Sequence, residues 1–142
     1  MQMNAKEFCQ QYYRAKLKMD SLRAELQILR ESIADIQATD YTKVVVDGTK
    51  AQDTIGNLVA ELVEVETDLW KAAEEQCRKM LDVMEVINEV DDPLTNKALT
   101  FRHVELLTWQ EMEERMHYSD RQLQRIVLDG YEEVQRILNR RN

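Results

Sequence analysis

Heptad spacing of apolar residues is the feature that most constrains how this chain folds. Nine residues near the N-terminus recur at alternating steps of four and three: Phe8, Tyr12, Ala15, Met19, Leu22, Leu26, Leu29, Ile33 and Ile36. Such spacing keeps one seam of an α-helix facing a partner helix. Asn4, with Glu7 three residues later, is a suitable N-cap. We therefore predict a first coiled-coil helix over residues 4–37.

A second apolar seam predicts a helix from about Asp53 or Thr54 to about Val90. Its residues are Ile55, Leu58, Leu62, Val65, Leu69, Ala73, Cys77, Met80, Met84 and Ile87. The four-residue steps between Val65 and Cys77 are typical of a stutter, which unwinds a supercoil locally. Each helix would be on the order of 50 Å long at 1.5 Å per residue. Matched lengths favour an antiparallel helical hairpin.

The connection between these helices, residues 38–53, is a polar loop. It contains the β-branched run Val44–Val46 and the turn pair Asp47-Gly48. A loop of this length is unusual between packed elements, so a mobile and a functional role both stay open.

Apolar residues away from the seams predict a homodimer. They are Val59, Val63, Trp70 and Leu81 on the second helix and Leu17 and Ile28 on the first. One hairpin cannot bury two stripes, so a second hairpin packed alongside would cover the remainder. Scattered exposed apolar residues, which are common on protein surfaces, are the alternative.

Composition excludes several classes of protein. Only three Gly and one Pro occur in 142 residues, too few for the turns of a many-stranded sheet. No secretory signal and no apolar run of the roughly 20 residues that span a bilayer is present, so we expect a cytoplasmic protein without membrane contact. Cys9 and Cys77 stand alone in sequence and are expected to be packing residues.

The charge of −8 is confined to one part of the chain. Residues 1–92 carry 11 basic and 19 acidic side chains, whereas residues 93–142 carry 8 of each. Because phosphate contacts supply much of the affinity for nucleic acid, an acidic surface opposes DNA binding. The C-terminal segment is neutral, so charge leaves DNA binding open for that part.

Capping signals predict a compact helix-turn-helix domain at the C-terminus. Asp92-Pro93 is a helix start and marks a domain boundary. Beyond it, Thr108 to Glu111 and Ser119 to Gln122 each fit the S/T-x-x-E/Q capping box. The interval leaves room for a two-turn helix, a turn and a second helix. We predict an all-α chain in which residues 1–92 form the hairpin and oligomerise and residues 93–142 form the helix-turn-helix domain.

The second of these helices has the residues of a recognition helix. Its apolar residues Leu123, Ile126, Val127, Tyr131, Val134 and Leu138 fall on one side and are expected to pack against Trp109, Met112 and Met116. Arg121, Gln122 and Arg125 face the other way, and their forked polar groups match guanine and adenine edges. A solvated polar face is the alternative interpretation. The candidate DNA-binding residues are Thr108, Ser119, Arg121, Gln122, Gln124 and Arg125.

The residues from Asp92-Pro93 through Arg102, Thr108 to Met112, Tyr118-Ser119 and Arg125 resemble region 4 of bacterial sigma factors. The pattern is most similar to the sigma-like domains of small phage-encoded transcriptional regulators, including late-gene activators. This resemblance implies a recognition helix starting at Ser119, double-stranded DNA as the ligand and RNA polymerase as a further partner. Glu113 departs from the family by replacing a small residue, and His117 and Leu106 by replacing Gly.

No residue pattern predicts an enzyme. His103 and His117 have no nucleophile or metal ligand at a suitable spacing, and His103 is expected to be a packing residue. No Gly-rich phosphate loop occurs, so we expect no cofactor and no metal. Two other functions fit the same sequence: an adaptor coiled coil that binds a protein, and a DNA-packaging or recombination accessory protein.

Overall fold

A computed structural model describes residues 3–40 and 48–142, with the side chains of residues 3–38 and 54–142. Six helices and no strand occur among these residues, which confirms the all-helical prediction. The helices are α1 (Ala5–Cys9), α2 (Gln11–Asp40), α3 (Gly48–Asn88), α4 (Pro93–His103), α5 (Trp109–Met116) and α6 (Asp120–Arg141). Within the described ranges, no helix combines the length and apolarity needed to cross a membrane.

The N-terminal helix begins as predicted and is interrupted once. Asn4 Oδ1 accepts the backbone N–H of Glu7 at 2.8 Å, which confirms the cap. Gln10 then separates α1 from α2, although its backbone stays in the right-handed helical region at φ −82° and ψ −2°. The predicted single helix over 4–37 is therefore two helices in nearly continuous register, and the second reaches Asp40.

The helix after the loop starts earlier than predicted. α3 begins at Gly48 rather than near Asp53, and it ends at Asn88. The residues that follow Gly48 include Lys50, Ala51 and Gln52, which have high helix propensity and so extend the helix backwards. The Val44–Val46 run and Asp47 lie outside the described residues.

Helices α2 and α3 share an apolar cluster in one compact unit, residues 17–74. Leu26, Leu29 and Val65 are buried, and four further seam residues pack against them: Leu22, Leu58, Leu62 and Leu69. All seven belong to the predicted seams, whose contact is thereby confirmed. An exposed ion pair joins the same helices, with Arg30 Nη2 3.3 Å from Glu66 Oε1.

The predicted stutter in α3 is wrong. Ala72 is buried at 3% exposure, whereas Cys77 is exposed. The buried positions after Val65 and Leu69 therefore continue in heptad register through Ala72. The next positions of this register are polar, which is why the apolar residues alone suggested Ala73 and Cys77. The packing interpretation is accordingly wrong for Cys77.

The second compact unit comprises residues 1–16 and 75–142. Its buried core draws on α1, on the end of α3 and on all three C-terminal helices; among its members are Cys9, Val83, Val86, Leu99, Met112, Leu123, Val134 and Ile137. Helix α1 packs on α6, and the backbone N–H of Ala5 donates to Gln135 Oε1 at 3.0 Å. The N-terminal helix thus belongs to the same core as the C-terminal helices. The division at residue 92 into separately folding domains stays a prediction.

The junction between α3 and α4 has the predicted boundary chemistry. Asp92 caps α4 by accepting the N–H of Thr95 at 3.0 Å, and Pro93 is the first helical residue. The side-chain amide of Asn96 donates to the carbonyls of Ile87 at 2.9 Å and Val90 at 3.2 Å. The Ile87 carbonyl also accepts the backbone N–H of Val90 at 2.9 Å, so the Asn96 amide adds a second bond there and ties α4 to the end of α3.

Helices α4 and α6 approach closely at a glycine. A Cβ atom at Gly130 would lie 3.0 Å from Leu99 Cδ1 and 3.0 Å from Thr95 Cγ2. This separation is tighter than ordinary packing, so a side chain at position 130 would have to displace Leu99 or Thr95 by a few tenths of an ångström.

Candidate nucleic-acid interface

Reciprocal capping boxes start α5 and α6, as predicted. Thr108 Oγ1 accepts the N–H of Glu111 at 3.2 Å, and the N–H of Thr108 donates to Glu111 Oε1 at 3.1 Å. Ser119 Oγ accepts the N–H of Gln122 at 3.2 Å, and the N–H of Ser119 donates to Gln122 Oε1 at 2.9 Å. The bonds from Thr108 lower the pKa of the Glu111 carboxyl. Each helix therefore has a sharply defined first residue.

The chain turns between these helices through a residue in the left-handed region. His117 has φ 60° and ψ 35°, and its N–H donates to the carbonyl of Glu113 at 2.9 Å. Leu106, before α5, also has a positive φ of 57°. Among the described residues these are the two non-glycine residues with positive φ. The turn conformations are thus kept at a cost in backbone strain.

Glu113 has a role that the sequence analysis missed. Its Oε1 accepts the backbone N–H of Asp120, the first residue of α6. The Glu113 side chain therefore adds a cap from α5 to the start of α6. Glu113 precedes Asp120 by seven residues, and the two lie on different helices. No local sequence motif predicts such a contact.

The two helices are held together by the predicted apolar contacts. Met112 and Leu123 are fully buried and Val127 is 2% exposed, while Trp109 and Met116 pack against this core. The outer side of Trp109 is covered by Arg102, whose Cζ lies 4.4 Å from the ring centroid in a cation–π contact. The backbone of α5 and α6 is consequently held in one relative arrangement.

All six candidate DNA-binding residues are exposed, but they differ in their partners. Thr108, Ser119 and Gln122 take part in the capping boxes. The side-chain amide of Gln124 donates to Asp120 Oδ1 at 3.0 Å. These four side chains therefore already form hydrogen bonds at the helix N-termini.

Arg121 and Arg125 are free to bind a ligand. Within residues 3–40 and 48–142, neither guanidinium takes part in a hydrogen bond or an ion pair. They are one turn apart on the face of α6 opposite the buried Leu123. The structure thus brings together two unpaired cations in the first two turns of the helix, where the positive end of the helix dipole adds to their charge.

One exposed apolar residue lies on the same face and was missed by the sequence analysis. Leu128 is 62% exposed, three residues after Arg125 and seven after Arg121. The signal was available, since these spacings place all three on one stripe of a helix. The acidic residue Glu132 follows on this stripe one turn later. An acidic side chain therefore follows the two cations and Leu128 on this stripe.

The buried polar groups of this unit serve packing. His103 is 4% exposed, and its Nε2 lies 2.8 Å from Tyr131 Oη. Burial lowers the pKa of His103 to about 4 and raises that of Cys9 to about 12. Both predicted packing roles are confirmed, because His103 is 4% exposed and Cys9 is fully buried. Among the described residues, no group of three His, Cys, Asp or Glu side chains is placed to hold a metal ion.

Comparisons with protein-family models, with curated proteins and with solved structures find no match to this chain.

Proposed function

We propose that this chain is a phage-type transcriptional regulator that acts in the cytoplasm and binds double-stranded DNA. In this proposal α5, the turn at residues 117–119 and α6 form a helix-turn-helix motif with α6 as the recognition helix. The observation that carries it is the pair of exposed, unpartnered cations Arg121 and Arg125 at the start of a doubly capped helix. The resemblance to sigma region 4 adds RNA polymerase as a proposed second partner.

The chemistry of these side chains suits the major groove. A guanidinium can donate two parallel hydrogen bonds to the O6 and N7 atoms of guanine, and recognition helices enter the groove by their first turns. Residues Arg121 and Arg125 are separated by about 6 Å along the helix axis at 1.5 Å per residue. They could therefore contact neighbouring base pairs or one base and an adjacent phosphate.

DNA binding is tested by selecting bound sequences from random duplex DNA and then titrating variants against the selected duplex at two salt concentrations. Arg121→Ala and Arg125→Ala should each cost about 1 to 3 kcal/mol if the side chain contacts a guanine edge, with relaxed preference at one base pair. A phosphate contact would instead weaken binding to all sequences alike.

Arg136→Ala is the matched control. Arg136 lies on the same helix but donates to Glu133 Oε2 at 2.6 Å, so its guanidinium is already paired. Asp120→Asn should tighten binding, because it removes an acid from the DNA-facing end of α6, while weakening the helix dipole interaction slightly. Folding of each variant is checked by circular dichroism. Wild-type affinity in both Arg121→Ala and Arg125→Ala would show that these side chains do not read DNA.

The proposal includes an antiparallel hairpin of α2 and α3 that forms a homodimer. It is supported by a second stripe on α3, where Val59, Val63 and Trp70 are 42%, 56% and 77% exposed. Burial of a Trp side chain is among the largest single contributions to an interface. A second copy packed on this stripe would give a dimer with two helix-turn-helix motifs, as two half-sites on DNA require.

Sedimentation of a pair of charge-insertion variants tests the dimer. Trp70→Glu should shift the full chain to a monomer, because it buries a charge in the interface. Leu128→Glu is the control, since Leu128 is 62% exposed but lies on α6, outside residues 1–92. A Trp70→Glu protein that sediments as the wild type does would place the interface elsewhere.

An adaptor coiled coil is the second candidate, favoured by the acidic first segment and the exposed Trp70. In that case the stripe on α3 binds another protein. Failure of the wild type to bind any duplex specifically would decide for the adaptor.

A further inference from the structure

Leu128 is an exposed apolar side chain on the face of α6 that is proposed to contact DNA bases. Its 62% exposure contrasts with the complete burial of Leu123 on the opposite face of α6. It lies about 4.5 Å beyond Arg125 along the helix axis, at 1.5 Å per residue. Leu128 thus continues the stripe of Arg121 and Arg125 on the surface of α6.

The surroundings of Leu128 leave it open to a large ligand. It lines a wide groove between α6 and the N-terminal helices, together with Lys6, Arg14, Glu7 and Glu132. Lys6 and Arg14 are exposed cations on the rim opposite α6, which suits a polyanion lying along the groove. Glu7 and Glu132 oppose it, so the electrostatic contribution of the rim is modest. The apolar residue itself is the more specific feature.

We propose that Leu128 reads a thymine by contact with its C5-methyl group. This inference rests on the proposed DNA binding through α6. Among base edges in the major groove, thymine alone presents an apolar substituent. Arg121 and Arg125 would supply the polar contacts to neighbouring positions, so the selected site should contain a thymine on the side of the guanine contacts that faces the C-terminal half of α6.

Replacement of thymine by uracil tests this contact, because uracil lacks only the methyl group. Each thymine of the selected duplex is replaced in turn, and the dissociation constants of the full-length wild type and of Leu128→Ala are measured. Loss of one buried methyl corresponds to roughly 0.8 kcal/mol, or about a fourfold weaker dissociation constant. We expect the wild type to show this loss at one thymine and Leu128→Ala to bind both duplexes equally.

Met84→Ala is the matched control, since Met84 is also an exposed apolar residue but belongs to α3 and not to α6. It should retain the wild-type loss at the same thymine. Leu128→Ala should fold normally, because the side chain is exposed and Ala favours helix.

Three results would overturn the inference. A wild type that binds its site specifically but tolerates uracil at every thymine would leave DNA binding intact and refute the methyl contact. Leu128→Ala with the same uracil penalty as the wild type would assign the methyl contact to another residue. A wild type that binds no duplex would refute the proposed function itself, and this inference with it.

Discussion

Protonation of His103 should destabilise the second compact unit, residues 1–16 and 75–142, at mildly acidic pH. Its side chain is 4% exposed and lies against Tyr131 of α6. Burial, with smaller repulsion from Arg102 and Lys6, lowers the pKa from 6.5 to about 4. Between these two pH values His103 binds a proton in the unfolded chain but not in the folded chain. The free energy of unfolding therefore falls as pH decreases from about 6.5 to about 4, and this contribution is fully present above pH 6.5.

The magnitude follows from the two pKa values. A difference of one pKa unit corresponds to 1.36 kcal/mol, so most of the effect between pH 7 and pH 5 comes from the interval below 6.5. The free energy of unfolding should fall by about 2 kcal/mol over this range. Hydrogen bonds lower the pKa values of the Asp92 and Glu111 carboxyl groups. Protonation of these groups at lower pH reduces the free energy of unfolding equally in every variant.

Urea unfolding at pH 7 and pH 5 measures this quantity. A common Trp70→Phe background leaves Trp109, which packs on the C-terminal core, as the fluorescent reporter. His103→Gln should lose about 2 kcal/mol less than the wild type between the two pH values, because it has no proton to bind. His117→Gln leaves the buried His103 in place, so its loss of unfolding free energy between pH 7 and pH 5 should equal that of the wild type. Equal losses for His103→Gln and the wild type would refute the assignment to His103.

Three further substitutions test how the C-terminal helices are built. Ser119→Ala should lower the stability of the C-terminal unit by roughly 1 kcal/mol, because an N-cap acceptor is lost; an unchanged melting curve would show that α6 does not depend on this cap. His117→Gly should raise the melting temperature slightly, since relief of the left-handed conformation, about 1–2 kcal/mol, exceeds the roughly 0.4–1 kcal/mol of added unfolded-state entropy; His117→Ala should show no gain. Gly130→Val should cost about 1–3 kcal/mol by overpacking against Leu99, and a stability equal to that of the wild type would contradict the close approach of α4 and α6.

Local features of this protein were predictable because their causes lie within a few residues. The N-caps at Asn4, Asp92, Thr108 and Ser119 each depend on a side chain that reaches the third residue ahead, so the sequence is sufficient. The seam of α2 follows from its period in the same way.

Other features depended on contacts between distant segments. The choice of Ala72 over Ala73 for burial could not be read from periodicity, because both are apolar and polar residues follow in the true register. Capping of α6 by Glu113 and the packing of α1 on α6 join residues that have no local pattern in common.

The candidate site shows the same division. Arg121 and Arg125 were identified from residue type and helical phase, which the sequence alone determines. That they lack partners, and that Leu128 remains uncovered beside them, depends on which elements pack against α6. Burial is a property of the surrounding chain rather than of the residue, so only the tertiary structure decided which side chains of α6 remain available to a ligand.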